Sequence, residues 1–567
     1  MNRASDFDGD GRDELPVTSP WGLGVLELSG SSLRTRVIAS NGTRFPGGWL
    51  LNTDDNRFDR TADLDGDGRD EIAVASPWGV GVLERSGSRL RTAMLAPNGT
   101  RFDGWLLNTV NDALGPTGDL DGDGRAEILV TSPWGLGVWS LAGSTFDVPM
   151  MEPNGTRFDG WLLNTEDNQF RYVGDLDGDG RDEIVVTSPW GLGILALDGD
   201  TLDVVFMASN GTRLGEWLLN TEDNRIAGLC DLDGDGRSEL LIASPWGLGV
   251  LELDGGDLTS RHMIRNGTRI GGWLVNSIDN RFAPAGDYDG DGRDEVLFAS
   301  PWGIGVMEEA GGDLRMSMMA ANGTRFGGWL LNTADNRFGP VGDYDGDGSD
   351  ELVVSSPWGM AVLDIEGSSV SPRVMASNGT RFDGGWLLNT DDNSLGIGPE
   401  VVRLHLKILD EPNVDIEDMV TEMKQVYAQA GIYVHLVSTE ELDLGAALQD
   451  VNIGACAGGV TAEQTNLFSN RGQAPATDVV IYFVRSTTPP VFGCASFPDG
   501  QPGAVVTSTA SVWTMGHEVG HILDLGHVAD TDRLMTGGGT PNITNPPPDL
   551  TPGEANTSKA SFLTHPI

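Results

Sequence analysis

Short apolar runs recur along most of this chain, cut at regular intervals by Asp-Gly and Asn-Gly pairs. Glu183-Ile184-Val185-Val186-Thr187 and Gly193-Ile194-Leu195-Ala196-Leu197 are typical of them. Such segments read as strands joined by tight turns. The pattern is periodic. Asp-x-Asp-Gly-Asp-Gly-x-x-Glu begins at Asp6, Asp63, Asp119, Asp175, Asp231, Asp287 and Asp343, with one interval of 57 residues and five of 56. Each copy continues through Ser-Pro-Trp-Gly (Ser188 to Gly191) and Asn-Gly-Thr-Arg (Asn210 to Arg213), and ends near Trp-Leu-Leu-Asn (Trp217 to Asn220). About four strands fit one copy, the content of a propeller blade, and seven blades close into a ring. A solenoid is the alternative, but its repeats are shorter and need atypical caps. The sequence therefore predicts an all-β seven-bladed propeller over residues 1–396 of a multi-domain chain. Residues 1–5 align with the short strand before the second nonapeptide, which predicts that this N-terminal strand closes the ring against the last repeat.

After Gly396 the period stops, and residues 397–567 have a different character. Val402, Leu404, Leu406 and Ile408 alternate with polar residues, as in a half-buried strand. Ile416, Met419, Val420, Met423, Val426, Tyr427 and Ala430 share one face of a helix that stops at Gly431. Residues 432–437, 479–484 and 504–507 read as further strands, so this is an α+β (α/β) domain.

Charge narrows the function. There are 84 acids against 36 bases, a formal charge of −48, which opposes binding to nucleic-acid phosphates or to an anionic membrane. No run of 18 apolar residues is present to span a bilayer. Met1 to Glu14 has neither a basic n-region nor an apolar h-region, so no secretory signal is visible. Three cysteines, Cys230, Cys456 and Cys494, allow at most one bridge.

The nonapeptide carries much of that acid. Carboxylates at positions 1, 3, 5 and 9 with a main-chain carbonyl at 7 are hard oxygen ligands suited to Ca²⁺. In the first copy these are Asp6, Asp8, Asp10, Arg12 (carbonyl) and Glu14. The second and third hold Asp63, Asp65, Asp67, Arg69, Glu71 and Asp119, Asp121, Asp123, Arg125, Glu127. The fourth and fifth hold Asp175, Asp177, Asp179, Arg181, Glu183 and Asp231, Asp233, Asp235, Arg237, Glu239. The last two hold Asp287, Asp289, Asp291, Arg293, Glu295 and Asp343, Asp345, Asp347, Ser349, Glu351. Two carboxylates 4 Å apart repel by ~1 kcal/mol in water and ~4 kcal/mol at an effective dielectric of 20, so four converging ones call for a cation. Up to seven structural Ca²⁺ ions are expected. Position 8 varies (Asp13, Ala126, Ser238) while position 9 is always Glu, which reads as a ligand at 9 and a bystander at 8.

These loops, each followed by an apolar strand, resemble the FG-GAP/VCBS repeat of integrin-α-type propellers. The resemblance implies calcium-bearing blades in an extracellular or secreted protein that binds proteins or glycans. Fourteen of the 16 tryptophans occupy the two repeated positions, where they either stack on sugars or pack as Pro-Trp-Gly corners between blades. The Asn-Gly-Thr sequons read as hairpin turns rather than glycosylation sites.

The second domain concentrates its chemistry in His517-Glu518-Val519-Gly520-His521 and His527. On a helix, His517 and His521 lie one turn apart and can share one Zn²⁺, with Glu518 beside them as general base. His527 follows six residues later as a candidate third ligand, leaving one coordination position open. This segment resembles the metzincin zinc endopeptidases. By that resemblance His517, His521 and His527 are zinc ligands, Glu518 is the catalytic base and Met535 is the Met-turn residue. Thr551-Pro552-Gly553-Glu554 would open a final helix. Asp524 stands where that clan has Gly. A protein or peptide substrate would pair with an edge strand at Ala504 to Thr507. Cys456 and Cys494 are either one disulfide or two thiols. The alternative function is an adhesion or lectin-type protein whose second domain is catalytically idle.

Overall fold

The computed structural model describes residues 4–566 except 20, 54–55, 110, 166, 222–223, 278–279, 334, 391–392, 398–399, 430–431, 446–447, 457–458, 473, 475–477, 497–500, 524, 545, 551–553, 555–556, 559–560 and 562. The chain forms two compact units, Met1–Gly398 and Pro399–Pro566. Among the described residues no helix is long and apolar enough to cross a membrane.

The first unit is a seven-bladed propeller of four-stranded antiparallel sheets. The second blade shows the plan: strand A is Arg57–Ala62, B Glu71–Ser76, C Gly79–Ser86 and D Arg89–Pro97, paired in that order. The nonapeptide joins A to B, and Ser-Pro-Trp-Gly is the tight turn from B to C. These two features therefore occupy opposite ends of strand B and opposite faces of the ring.

The first blade is closed differently from the expectation. Its strands B to D are Leu15–Ser19, Gly22–Ser29 and Ser32–Ser40. Its strand A is assembled from both ends of the repeat region: Ser394 and Leu395 pair with Thr18 and Val17, and Ser5 bridges Glu14. Of the described N-terminal residues, Ser5 thus completes its own blade, and Ala4 N–H reaches the Val341 carbonyl of the last blade at 2.8 Å.

The blades adhere through tryptophan. Trp49, Trp105, Trp161, Trp217, Trp273, Trp329 and Trp386 are fully buried. Each indole N–H donates to a side chain seven residues on, as Trp49 does to Asn56 Oδ1 at 3.0 Å and Trp386 to Asn393 Oδ1 at 3.1 Å. Such a partner is what permits an indole to be buried. Each ring also packs on the Ser-Pro-Trp-Gly ring of the next copy, with centroids 4.0–4.4 Å apart, and the Trp386–Trp21 pair joins last blade to first. The slot exists because the third residue after that second Trp is glycine in six copies: a Cβ on Gly81 would lie 2.5 Å from the Trp49 ring. The sequon asparagines are also structural. Asn98 donates to the Pro77 carbonyl and to Thr109 Oγ1, and accepts from the Thr109 N–H.

The second unit is a largely parallel sheet ordered Ile432–Glu441, Glu400–Ile408, Val479–Val484, Gly503–Thr507 and Gly493–Ala495, the last strand antiparallel. Helices α1 (Ile416–Gln429) and α3 (Thr514–Ile522) cover one face, burying Met419, Met423, Val426, Met515 and Val519 against Leu404, Leu406, Ile481 and Val506. Helix α2 (Ala462–Phe468) covers the other through Leu467 and Phe468. It starts with a capping box at Thr461 and Gln464. Ala504 to Thr507 is an interior strand, contrary to the sequence expectation. The edge is Gly493–Ala495, three residues too short to show an alternating pattern. The predicted capping box at 551–554 falls almost wholly outside the described residues, as does Asp524.

Candidate metal centres and the cleft of the second unit

Helix α3 puts His517, Glu518 and His521 into the floor of a cleft of about 840 Å³. His527 returns from the following turn, and the three imidazoles converge: His527 Nε2 lies 3.2 Å from His517 Nε2 and 3.0 Å from His521 Nε2. The tautomers follow from the outer partners. His517 Nδ1 faces the Leu534 carbonyl at 2.6 Å, and His521 Nδ1 faces the Leu525 carbonyl at 2.8 Å. A carbonyl can only accept, so both Nδ1 atoms carry the proton and both Nε2 atoms present bare lone pairs to one point. Burial pushes His517 down to about 4 and also lowers His521, keeping both neutral at physiological pH. A divalent cation of the Zn²⁺ type fits this donor set.

Glu518 is buried, and that burial raises its carboxyl to about 8 against the opposing pull of the Ala495 N–H. It lies against the edge strand, where a Cβ on Gly493 would be 2.5 Å from Glu518 Oε1. Met535 is fully buried, and its Sδ would be 2.4 Å from a Cβ on Gly520, so the helix glycine and the methionine fit one another. Cys456 and Cys494 form a disulfide, which ties the edge strand to the neighbouring loop at Ala455–Cys456 that also lines the cleft. Cys230 is buried in the propeller and is not part of a disulfide. Of the other histidines, His405 is held between Ser438 Oγ and Asp478 Oδ2, and His262 bonds Glu309.

In the propeller loops, position 1 is partly committed to the loop itself. Asp6 Oδ1 accepts from the Gly9 N–H at 2.7 Å and Oδ2 from Gly11 at 2.8 Å, and Asp63 repeats this with Gly66 and Gly68. Position 9 is buried and uses one oxygen to accept the N–H of position 2, as Glu14 Oε2 does from Phe7 at 2.8 Å. One carboxylate oxygen from each of Asp63, Asp65 and Glu71, and likewise from Asp119, Asp121 and Glu127, lies within 4.8 Å of the others. Burial lifts Glu71 to about 8 and Glu127 to about 7, with Asp65 or Asp121 adding repulsion. These clusters suit a hard divalent cation. Position 5 leans outward in four loops, where Asp10, Asp123, Asp179 and Asp235 pair with the arginine at position 7.

Position 8 is not a bystander. Its main-chain N–H donates to the position-1 carbonyl of the neighbouring loop in every copy, from Asp70 to Asp6 through Asp350 to Asp287, and Asp13 to Asp343 closes the circle. Where it is Asp the side chain often adds a bond: Asp13, Asp182 and Asp294 each accept at 2.9 Å from the N–H of Asp343, Asp119 and Asp231. Main-chain donation is indifferent to residue type, which is why Ala126 and Ser238 are tolerated.

Residues 231–298 match the family of FG-GAP-like repeats. No curated protein matches the chain. Among solved structures, an Agrocybe aegerita lectin described as recognising non-reducing terminal N-acetylglucosamine is 21% identical, covering 70% of this chain and 99% of its own with a TM-score of 0.47. Archaemetzincin from Methanopyrus kandleri is 18% identical, covering 28% of this chain and 93% of its own with a TM-score of 0.22. The periplasmic gluconolactonase of Pseudomonas aeruginosa is 12% identical over 68% and 99%, with a TM-score of 0.38.

Proposed function

We propose that the second unit is a metzincin-like, zinc-dependent endopeptidase and that the propeller is its calcium-stabilised binding module, working outside the cell. One observation carries the enzymatic reading: two imidazoles locked by carbonyls with bare Nε2 atoms aimed at a third, beside a buried carboxylate in an open cleft. His517, His521 and His527 would hold the metal, whose chemistry when bound is polarisation of the scissile carbonyl and acidification of a water. Glu518 accepts the proton of the attacking water and passes it to the departing amine. The edge strand Gly493–Ala495 lines the cleft beside Glu518, and an extended peptide would pair along it. The disulfide supports an oxidising compartment. For the propeller, Trp21, Trp78, Trp134, Trp302 and Trp358 each leave 37–43% of their surface exposed on the face opposite the acidic loops, which suits repeated contacts with a glycan or protein ligand.

The test is cleavage of a peptide library by the full chain with and without 1,10-phenanthroline, alongside Glu518→Ala. We expect chelator-sensitive cleavage that is lost in the variant while bound zinc stays near one per chain. Absence of any cleavage by the wild type defeats the peptidase reading.

A further inference from the structure

The seven acidic loops share one sequence but not one electrostatic environment. Strand D carries, at one repeated position, Arg36, Ala93, Pro149, Val205, Arg261, Ser317 and Arg373 in the seven blades. In the fifth blade Arg261 is held by Glu309, to which its Nη2 donates at 2.6 Å, while its Nη1 reaches the loop, 2.5 Å from Asp233, 3.2 Å from Glu252 and 4.0 Å from the buried Glu239. In the seventh, Arg373 Nη2 is 3.3 Å from Asp345 and 3.1 Å from Asp347, and its Nε is 3.7 Å from the buried Glu351. The first blade's Arg36 turns to Glu27, and Arg85 of the next blade takes the equivalent place. Its Nη1 pairs with Glu14 and lies 3.0 Å from Asp8. Arg85 itself is nearly buried there.

In the second, third, fourth and sixth loops the buried glutamates, Glu71, Glu127, Glu183 and Glu295, form no ion pair with arginine among the described residues. The arginines at position 7 do not alter this division: Arg125 and Arg181 pair with the position-5 carboxylate and Arg293 reaches the Glu309 carbonyl, so none of the three forms an ion pair with a buried glutamate.

A guanidinium that reaches positions 3 and 9 stands where a cation would have to be held, and it brings one positive charge of its own to that place. We propose that Arg85, Arg261 and Arg373 replace calcium in the first, fifth and seventh loops, so that the propeller takes four Ca²⁺ ions and not seven. This rests on the calcium reading of the loops given above. The rule is legible in the strand-D residue for the fifth and seventh blades. In the first it depends on Arg85, which no other copy carries at that position: the counterparts are Leu28, Leu141, Leu197, Leu253, Glu309 and Ile365.

The experiment is a count of calcium on the full chain after exhaustive dialysis against a calcium-buffered solution, read by elemental analysis. Four per chain is the expected result. Five or more overturns the replacement by arginine, whereas fewer than four overturns the calcium reading of the open loops, so the two failures are distinguishable. Conservative variants assign the sites without emptying a blade. Glu127→Gln should lower the count by one, and Glu351→Gln should leave it unchanged. A loss of one ion in Glu351→Gln overturns the proposal for the seventh loop.

Discussion

The smallest scale at which the second unit can be tested is a single hydrogen or methyl group. Gly493 leaves the space that the Glu518 carboxylate fills, since a Cβ there would meet Oε1 at 2.5 Å and Cγ at 2.6 Å. Gly493→Ala must push the carboxylate aside while touching only a short edge strand. The expected outcome is a fall in kcat of at least about tenfold, because general-base catalysis contributes roughly 10²–10⁴-fold and depends on placement. Steady-state kinetics set beside thermal melting check it: an unchanged kcat shows that Glu518 does not need its present position. His517, Glu518 and His521 were legible in sequence because helical spacing is local. The Nδ1 partners were not, as the Leu534 and Leu525 carbonyls reach the imidazoles from turns that no local pattern specifies.

At the level of elements, the composite strand A of the first blade decides whether the ring is closed. Ser5 bridges Glu14 and its hydroxyl donates to Thr61 Oγ1 at 2.7 Å, while Ala4 reaches Val341. Removing residues 1–5 deletes these bonds, each worth about 1 kcal/mol net, and exposes the end of the inner strand. A loss of roughly 2–3 kcal/mol is expected, seen as a lower midpoint in denaturant; an unchanged midpoint shows that Ser394–Leu395 closes the blade alone. The repeat made strands B to D legible seven times over. Two-residue pairings such as Ser394–Leu395, and the three-residue edge at Gly493–Ala495, carry no periodicity, and their existence depends on what they meet across space. The same holds for position 8, whose role runs through its main chain.

For the molecule as a whole, the proposed calcium reading predicts that the acidic loops couple stability to pH and calcium together. Without calcium, burial holds Glu14, Glu127 and Glu183 at about 7 and Glu71, Glu239, Glu295 and Glu351 at about 8, above the value of 4.5 for an unburied glutamate. Between those limits the folded chain binds more protons than the unfolded one, so stability falls as pH rises from about 4.5 to about 8. Calcium requires the ionised carboxylates, so in the four open loops of Glu71, Glu127, Glu183 and Glu295 its stabilising effect should widen over the same interval. Melting in EGTA and in calcium across that range tests this, and a calcium increment independent of pH counts against carboxylate ligation. The domain-scale plan of seven copies, and the helix that carries His517 and His521, were legible from periodicity and spacing. What the repeat concealed is its own inequality, because Arg85, Arg261 and Arg373 gain meaning only from the loop each one reaches. The divided strand A has one more consequence, which concerns time. A ribosome releases Ser5 almost four hundred residues before Leu395, so the first blade is the last to be completed. Until then the growing propeller is an open arc with an unpaired strand edge, and its latch is made only as the second unit begins to emerge.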